Sequence, residues 1–193
     1  MHKALTIIRD EHRSIAAILH GMEYLVKEVR AHRKKIDARV FRAMLYYLDT
    51  FAERMHHPKE DQYLFAPMRR RGTEADSLID ELEREHAAGE QSLRRLEQHF
   101  VRYEEGGDRE FPDFEAAAGE FVKGYRAHMR KEEDQVFPLA EKMLTASDWD
   151  AASHPFEENL DPLVAERNSK DFERLFTRIV NLAPPPIGVG PAA

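Results

Sequence analysis

Apolar residues recur at steps of three and four along most of the chain, the spacing that places them on one side of an α-helix. The first such stretch contains Leu5, Ile8, Ile15 and Leu19 and predicts a helix over roughly residues 3–31. Similar stretches predict a second helix from about 37 to 71, a third from about 73 to 105 and a fourth from about 112 to 144. Four long helices with short connections predict an all-α fold, an antiparallel up-down four-helix bundle.

The pattern changes after Leu144. Residues 147–149 are typical of a helix start, Pro155 and Pro162 interrupt the sequence, and apolar residues between 172 and 180 predict one more short amphipathic helix. We therefore divide the chain into a bundle over 1–145, a helical extension that packs on the bundle over 146–182, and a flexible tail over 183–193.

Two short segments, one in the second predicted helix and one in the fourth, repeat each other. They read His56, His57, Pro58, Lys59, Glu60, Asp61 and, 72 residues later, His128, Met129, Arg130, Lys131, Glu132, Glu133. In both, a histidine stands four residues before a glutamate, and residues i and i+4 share one side of an α-helix. An imidazole nitrogen and a carboxylate oxygen can then reach one point, so each segment predicts half of a metal site.

A single histidine precedes each segment on the apolar side of a predicted helix. His12 follows Glu11 and lies 44 residues before His56, and His86 follows Glu85 and lies 42 residues before His128. If all four helices direct these residues to one axis, two bridging glutamates and four imidazoles would hold two metal ions. The predicted metal ligands are His12, His56, Glu60, His86, His128 and Glu132.

A lone histidine on an amphipathic helix is usually a surface residue or a hydrogen-bonded one. The repeat favours the metal site, because two glutamates buried without a cation would cost about several kcal/mol each. Glu90, four residues after a predicted ligand, is a candidate for an extra ligand or a hydrogen-bond acceptor. His57 has Met129 as its counterpart, which favours a role beside the ligands or at the surface. Asp61 and Glu133 are expected to face outward or to pair with neighbouring Lys and Arg.

The composition narrows the chemistry. No cysteine occurs among the 193 residues, which excludes disulfides, thiolate ligands and thiol nucleophiles, so a metal must be held by nitrogen and oxygen. A net charge of −7 with interleaved basic and acidic residues argues against a nucleic-acid partner. No apolar stretch is long enough to span a membrane, and the N-terminus lacks the apolar segment of a signal peptide. We therefore predict a cytoplasmic protein with no membrane partner.

The series H…HxxxE…H…HxxxE and the segment HHPKE resemble the hemerythrin-like, HHE cation-binding domain family over about residues 1–145. The resemblance implies a four-helix bundle with two non-haem iron ions joined by an oxo or hydroxo bridge. It gives the ligand role to the same six residues and implies reactions with oxygen, hydrogen peroxide or nitric oxide. Zinc or manganese stays open, because nitrogen and oxygen ligands do not identify iron.

The chain departs from the oxygen-carrying members of that family, which use five histidines, with HxxxH on the third helix and HxxxxD on the fourth. Here Glu90 replaces the second of those third-helix histidines, and Glu132 follows His128 by four residues. Fewer nitrogens leave both irons open, which argues against reversible oxygen carriage. We expect a di-iron oxidoreductase that acts on peroxide or nitric oxide, with a small peroxide or diatomic molecule as its partner.

Two other functions remain open at this point: a non-catalytic iron or oxygen sensor or store, and a purely structural ion. The residue pattern assigns no catalytic side chain, no electron donor and no oligomeric state.

Overall fold

The computed structural model describes residues 2–31, 36–157 and 179, and these ranges contain helices and turns but no β-strand. The first helix, α1, spans Lys3–Arg30. A second continuous helical run covers residues 38–71. It consists of α2 (Ala38–Tyr47), a π-helical segment (Leu48–His56), α3 (His57–Glu60), a second π-helical segment (Asp61–Phe65) and α4 (Ala66–Arg71). The predicted start at Asp37 is confirmed, because its side chain accepts a hydrogen bond from the Arg39 amide at 2.9 Å.

The third long helix, α5, spans Asp76–Gly106 and is followed by a short 3₁₀ turn, Gly107–Arg109. The fourth helical run covers residues 111–143. It consists of α6 (Phe111–Lys131), a π-helical segment (Glu132–Val136) and α7 (Phe137–Met143). The last helix of the described part, α8, spans Ala146–Glu157. The prediction of an all-α fold is confirmed, and the four long predicted helices correspond to α1, the second run, α5 and the fourth run.

Each π-helical segment ends two residues before a proline. The residue preceding the proline donates its amide to the carbonyl five positions back, from His57 to Ala52, from Ala66 to Asp61 and from Phe137 to Glu132. Proline has no amide hydrogen and its ring crowds the carbonyl four residues earlier, so a wider turn lets the helix continue. Met129 and Arg130, which stand where the second run has His57 and Pro58, lie in regular α-helix, and the π-helical segment of the fourth run comes later, before Pro138.

The interior contains two apolar clusters with a polar layer between them. The first cluster draws on residues 15–52 and 93–129, and the second on residues 4–8, 64–82 and 136–156. Each of the four long helical runs contributes residues to both apolar clusters. In every run, buried histidines or glutamates lie between the residues of the first cluster and those of the second. The polar layer therefore lies in the middle of the fold, enclosed by apolar packing on two sides.

Helix α8 packs on the second cluster through Trp149, Ala152 and Phe156. An ion pair of 2.8 Å between Arg71 and Asp148 holds its start, and the helix continues through Pro155, which the sequence had predicted to interrupt it. The predicted helix near 172–180 and the predicted tail lie outside the described residues except for Ile179, so the three-part division stays a prediction. Among the described helices, none has the length and hydrophobicity needed to cross a membrane.

Candidate metal centre

Two carboxylates from different helical runs lie at the middle of the polar layer. Glu60 of α3 and Glu132 of the fourth run are both fully buried. The Nε2 atom of His12 lies 3.3 Å from Glu132 and 3.7 Å from Glu60. The Nε2 atom of His86 lies 3.6 Å from Glu132 and 3.8 Å from Glu60. These histidines of α1 and α5 therefore approach both carboxylates.

The other two predicted histidines each approach the carboxylate on their own run. Nε2 of His56 lies 3.4 Å from Glu60, and Nε2 of His128 lies 3.3 Å from Glu132, as the i, i+4 spacing predicts. Nε2 of His86 also lies 3.0 Å from Nε2 of His128. The structure thus brings all six predicted residues into one buried cluster of four nitrogens and two carboxylates.

The second ring nitrogen of each histidine is hydrogen-bonded to a carboxylate outside the cluster. The Nδ1 atoms and their carboxylate partners are His12 with Glu133 at 2.9 Å, His56 with Glu11 at 2.7 Å, His86 with Asp61 at 2.7 Å and His128 with Glu85 at 2.8 Å. The imidazoles of His128 and His12 hold the pKa values of Glu85 and Glu133 below their usual range, so these carboxylates are ionised and accept from Nδ1, and Nε2 faces the cluster. Burial raises the pKa of Glu11 to about 7, so at pH 7 the proton between it and His56 is shared by the two groups. Metal-binding histidines are oriented by such outer partners.

The expectation for Asp61 and Glu133 missed their main contacts: both are partly exposed, at 38% and 39%, but their carboxylates pair with histidines. A signal for the outer partners was present in the sequence. Each partner is the chain neighbour of a predicted ligand: Glu11 of His12, Glu85 of His86, Asp61 of Glu60, and Glu133 of Glu132. Every partner holds a histidine from a different helical run, which is why inspection of one helix at a time did not reveal the pairing.

The two central glutamates lack hydrogen-bond partners. Within the described part of the chain, none of the four carboxylate oxygens of Glu60 and Glu132 accepts a hydrogen bond, and Nε2 of His12 is likewise unsatisfied. A buried carboxylate without a partner costs about several kcal/mol. A cation between the nitrogens and these oxygens would satisfy all of them, so the residues present fit a site for hard or borderline divalent ions with nitrogen and oxygen ligands.

The four histidines differ in their protonation. Burial lowers the pKa of His56 to about 4, so it is neutral at pH 7. For His12 burial also lowers the pKa, but the carboxylates of Glu132, Glu133 and Glu60 outweigh it and hold the pKa well above its usual range. Burial would raise the pKa of Glu132, yet the surrounding imidazoles, His128 first, hold it well below its usual range.

His86 and His128 titrate together because their Nε2 atoms lie 3.0 Å apart. Burial lowers the pKa of each ring, but carboxylates raise both further, chiefly Asp61 for His86 and Glu132 for His128. Two facing nitrogens at this separation hold one proton between them, since two would repel. The metal-free cluster therefore carries about one shared proton on this pair and about one on His12 at pH 7.

His57 is buried and not at the surface. One of its nitrogens lies within 4.8 Å of nitrogens of His86 and His128. Its ring, however, stacks on that of His86, with centroids 4.2 Å apart and planes 12° from parallel. Two imidazoles bound to one ion must each contain the ion in their ring plane, which stacked rings cannot do. His57 Nε2 instead lies 3.0 Å from the hydroxyl of Tyr125, which also lies 3.2 Å from Glu53.

Glu90 does not join the cluster. Its side chain is half exposed and pairs with Arg94, one turn further along α5. The i+4 spacing from His86 places the two on similar sides of the helix, but the Glu90 side chain is 52% exposed, whereas that of His86 is 5% exposed. The prediction of an extra ligand at this position is therefore not supported by its placement.

Comparison with known proteins agrees with this geometry. Residues 3–140 match the model of the hemerythrin HHE cation binding domain. The matched range contains all six clustered residues and their four outer partners. Searches of curated proteins and of solved structures gave no match.

Proposed function

The chain belongs to the hemerythrin HHE cation binding domain family, and we propose that its buried cluster holds two iron ions that react with hydrogen peroxide or a related small oxidant such as nitric oxide. The observation that carries this proposal is the set of four unsatisfied oxygens of Glu60 and Glu132, which face inward-directed imidazole nitrogens.

The division of the six residues between the ions follows from their distances. His12, His56 and Glu60 form one group whose ligand atoms lie within 4.8 Å of one another, and His86 forms another with Glu60 and Glu132. We assign His12 and His56 to one ion and His86 and His128 to the other. Both carboxylates reach histidines of both pairs, which suits them to bridge the ions.

We further propose that the four long helical runs form the antiparallel up-down bundle of this family. Ion pairs between neighbouring runs support an antiparallel arrangement, because the residue numbers rise along one run while those of their partners fall along the other. Glu23 and Arg30 of α1 pair with Arg126 and Glu115 of α6, in that order. Arg42 and Asp61 of the second run pair likewise with Glu104 and His86 of α5.

Bound iron would supply Lewis acidity and electrons for reduction of the oxidant. The protein itself orients the histidine rings and keeps bulk water away from the centre. The Nδ1 hydrogen bonds fix the ring planes of the four histidines, so Nε2 is available without rearrangement. The apolar clusters on both sides exclude bulk water, and fewer nitrogens than in five-histidine sites leave coordination positions for a small molecule.

Metal binding at pH 7 is expected to release about two protons, one from His12 and one shared by His86 and His128, because each binding nitrogen must be unprotonated. The pKa values of these histidines are raised, so protons compete with the metal at pH 7. The affinity for metal should therefore increase as the pH rises above 7 and decrease as the pH falls. Titration calorimetry with Mn²⁺ in buffers of different ionisation enthalpy measures the released protons. Binding without proton release would contradict the assigned protonation.

The function is tested by loading the protein with ferrous iron under anaerobic conditions and measuring consumption of hydrogen peroxide and of nitric oxide. We expect consumption at least about tenfold faster than that by the same concentration of free iron. Rates no higher than those of free iron would overturn the reaction and leave an iron sensor or store. Metal analysis of protein from iron-replete cells tests the ion, and zinc at two equivalents would overturn the assignment to iron.

A further inference from the structure

The two halves of the internal repeat differ in how far they shield the centre. Glu11, which holds His56, has a side chain only 3% exposed, whereas its counterpart Glu85, which holds His128, is 38% exposed. In keeping with this, His86 and His128 are 9% and 6% exposed, whereas His12 and His56 are 3% and 1% exposed. The half of the centre formed by His86 and His128 is therefore the half nearer to solvent.

A cavity of about 280 Å³ lies between α5 and α6 on that side. Its inner wall contains His57, Tyr125 and His128, so it reaches a predicted ligand directly. Small residues occupy much of the remaining wall, namely Ala88, Gly89 and Ser92 of α5 and Gly124 and Ala127 of α6. Since one water takes about 30 Å³ of liquid volume, the cavity has room for about nine waters, and it is slightly smaller than the pockets of about 300–1,000 Å³ that enclose drug-sized ligands.

The repeat relates the residues that line this cavity to their counterparts in the first half of the chain. His12 corresponds to His86 with an offset of 74 residues, so Ile15 stands where Gly89 lines the cavity, and Ile18 stands where Ser92 does. Both isoleucines are buried in the first apolar cluster. The second and fourth helical runs are offset by 72 residues, so buried Ala52 corresponds to exposed Gly124. At each of these three positions the first half of the repeat thus has a larger side chain than the glycine or serine of the second half.

Gly89 also permits a close approach that completes the inner wall. A Cβ atom at this position would lie 2.2 Å from an oxygen of Glu53, closer than atoms can approach. The buried Glu53 carboxylate accepts from Tyr125, whose hydroxyl is 3.0 Å from His57. His57 and Tyr125, which line the cavity beside His128, are therefore tied to a buried carboxylate that one glycine accommodates.

We propose that this cavity is the access site through which a small uncharged molecule, such as hydrogen peroxide or nitric oxide, reaches the centre, and that it does so at the ion held by His86 and His128. This inference rests on the proposed function. The hydroxyl groups of Ser92 and Tyr125 can hydrogen-bond a polar guest, whereas Glu85 and Glu120 in the wall disfavour an anion. On the His12 and His56 side, the buried Ile15 and Ile18 occupy the corresponding positions.

Two glycines of α6 provide a matched test. A Cβ atom at Gly124 or at Gly119 meets nothing within 4 Å, so both positions accept a larger side chain. Gly124 lines the cavity, whereas Gly119 lines a separate groove of about 600 Å³ between α1 and α6. Leucine also favours a helix over glycine, so Gly124→Leu and Gly119→Leu should both fold.

The measurement is the rate at which nitric oxide binds the ferrous protein in stopped-flow absorption, at equal iron content. We expect binding to be at least about tenfold slower in Gly124→Leu and within about twofold of the unmodified rate in Gly119→Leu. Ser92→Leu, on the facing helix, should slow binding as Gly124→Leu does. Unchanged rates in both cavity variants, or equal slowing in Gly119→Leu, would overturn the access site.

The charge selectivity is tested with azide and the ferric protein. Glu120→Lys should speed azide binding by at least about threefold at low salt, and an unchanged rate would overturn the selectivity. The access site and the proposed reaction can fail separately. An iron-loaded protein that leaves peroxide intact overturns the reaction. The access site is still supported if nitric oxide binds slowly to Gly124→Leu and at the unmodified rate to Gly119→Leu.

Discussion

Replacing Glu132 by glutamine is expected to abolish tight binding of the metal pair. The change preserves the size of the side chain but removes the charge that His12, His86 and His128 surround, at 3.3, 3.6 and 3.3 Å. A neutral amide cannot bridge two cations as a carboxylate does. Loss of an outer partner weakens metal binding by about 10–100-fold, so loss of this bridge should cost at least about 100-fold. Iron content after dialysis against a weak chelator measures the effect.

Glu90→Gln is the matched control for that variant. It makes the same chemical change on a glutamate that is half exposed and pairs with Arg94. Its iron content should equal that of the unmodified protein. If Glu132→Gln retained two equivalents of iron, or if Glu90→Gln lost them, the assignment of the bridging position would be wrong.

Iron loading is expected to raise the melting temperature by roughly 10 °C. Ions that bind only the folded chain stabilise it by about 4 kcal/mol when their concentration is a thousand times the dissociation constant. For a chain of this length, each kcal/mol shifts the midpoint by about 2–4 °C. The physical cause is the relief of the unsatisfied oxygens of Glu60 and Glu132. Calorimetry with and without chelator gives the shift.

The variant Glu132→Gln distinguishes this stabilisation from a nonspecific effect of iron, because its melting temperature should change little on loading. A melting temperature of the unmodified protein that is indifferent to chelator would contradict the prediction. It would mean that the cluster is satisfied without a cation, contrary to its geometry.

The internal repeat was enough to predict the six central residues. Their types and spacings recur twice, and helical periodicity placed them on apolar sides, so one geometric rule located all of them. The outer partners were not predicted, because each of them, for example Asp61, holds a histidine of another helical run, and the register between runs is a tertiary property. The acid beside each predicted ligand was the available signal.

The π-helical segments show a different limit. Side chains of α- and π-helical turns follow nearly the same pattern of apolar positions over one turn, so periodicity cannot separate them. The proline two residues after each segment, as at Pro58, Pro67 and Pro138, would have been the better guide. The cavity beside His57 was also invisible in the apolar pattern. The cavity lies where the second half of the repeat has glycine and serine and the first half has isoleucine. Only the structure shows that these paired positions line a cavity.

Three of the four outer carboxylates lie partly at the surface: Asp61 and Glu85 are each 38% exposed and Glu133 is 39% exposed. Counter-ions in the surrounding electrolyte screen such groups, over a distance of about 10 Å at 0.1 M salt. Ionic strength therefore modulates the basicity of His12, His86 and His128. His56, whose partner Glu11 is enclosed, is insulated from the same influence.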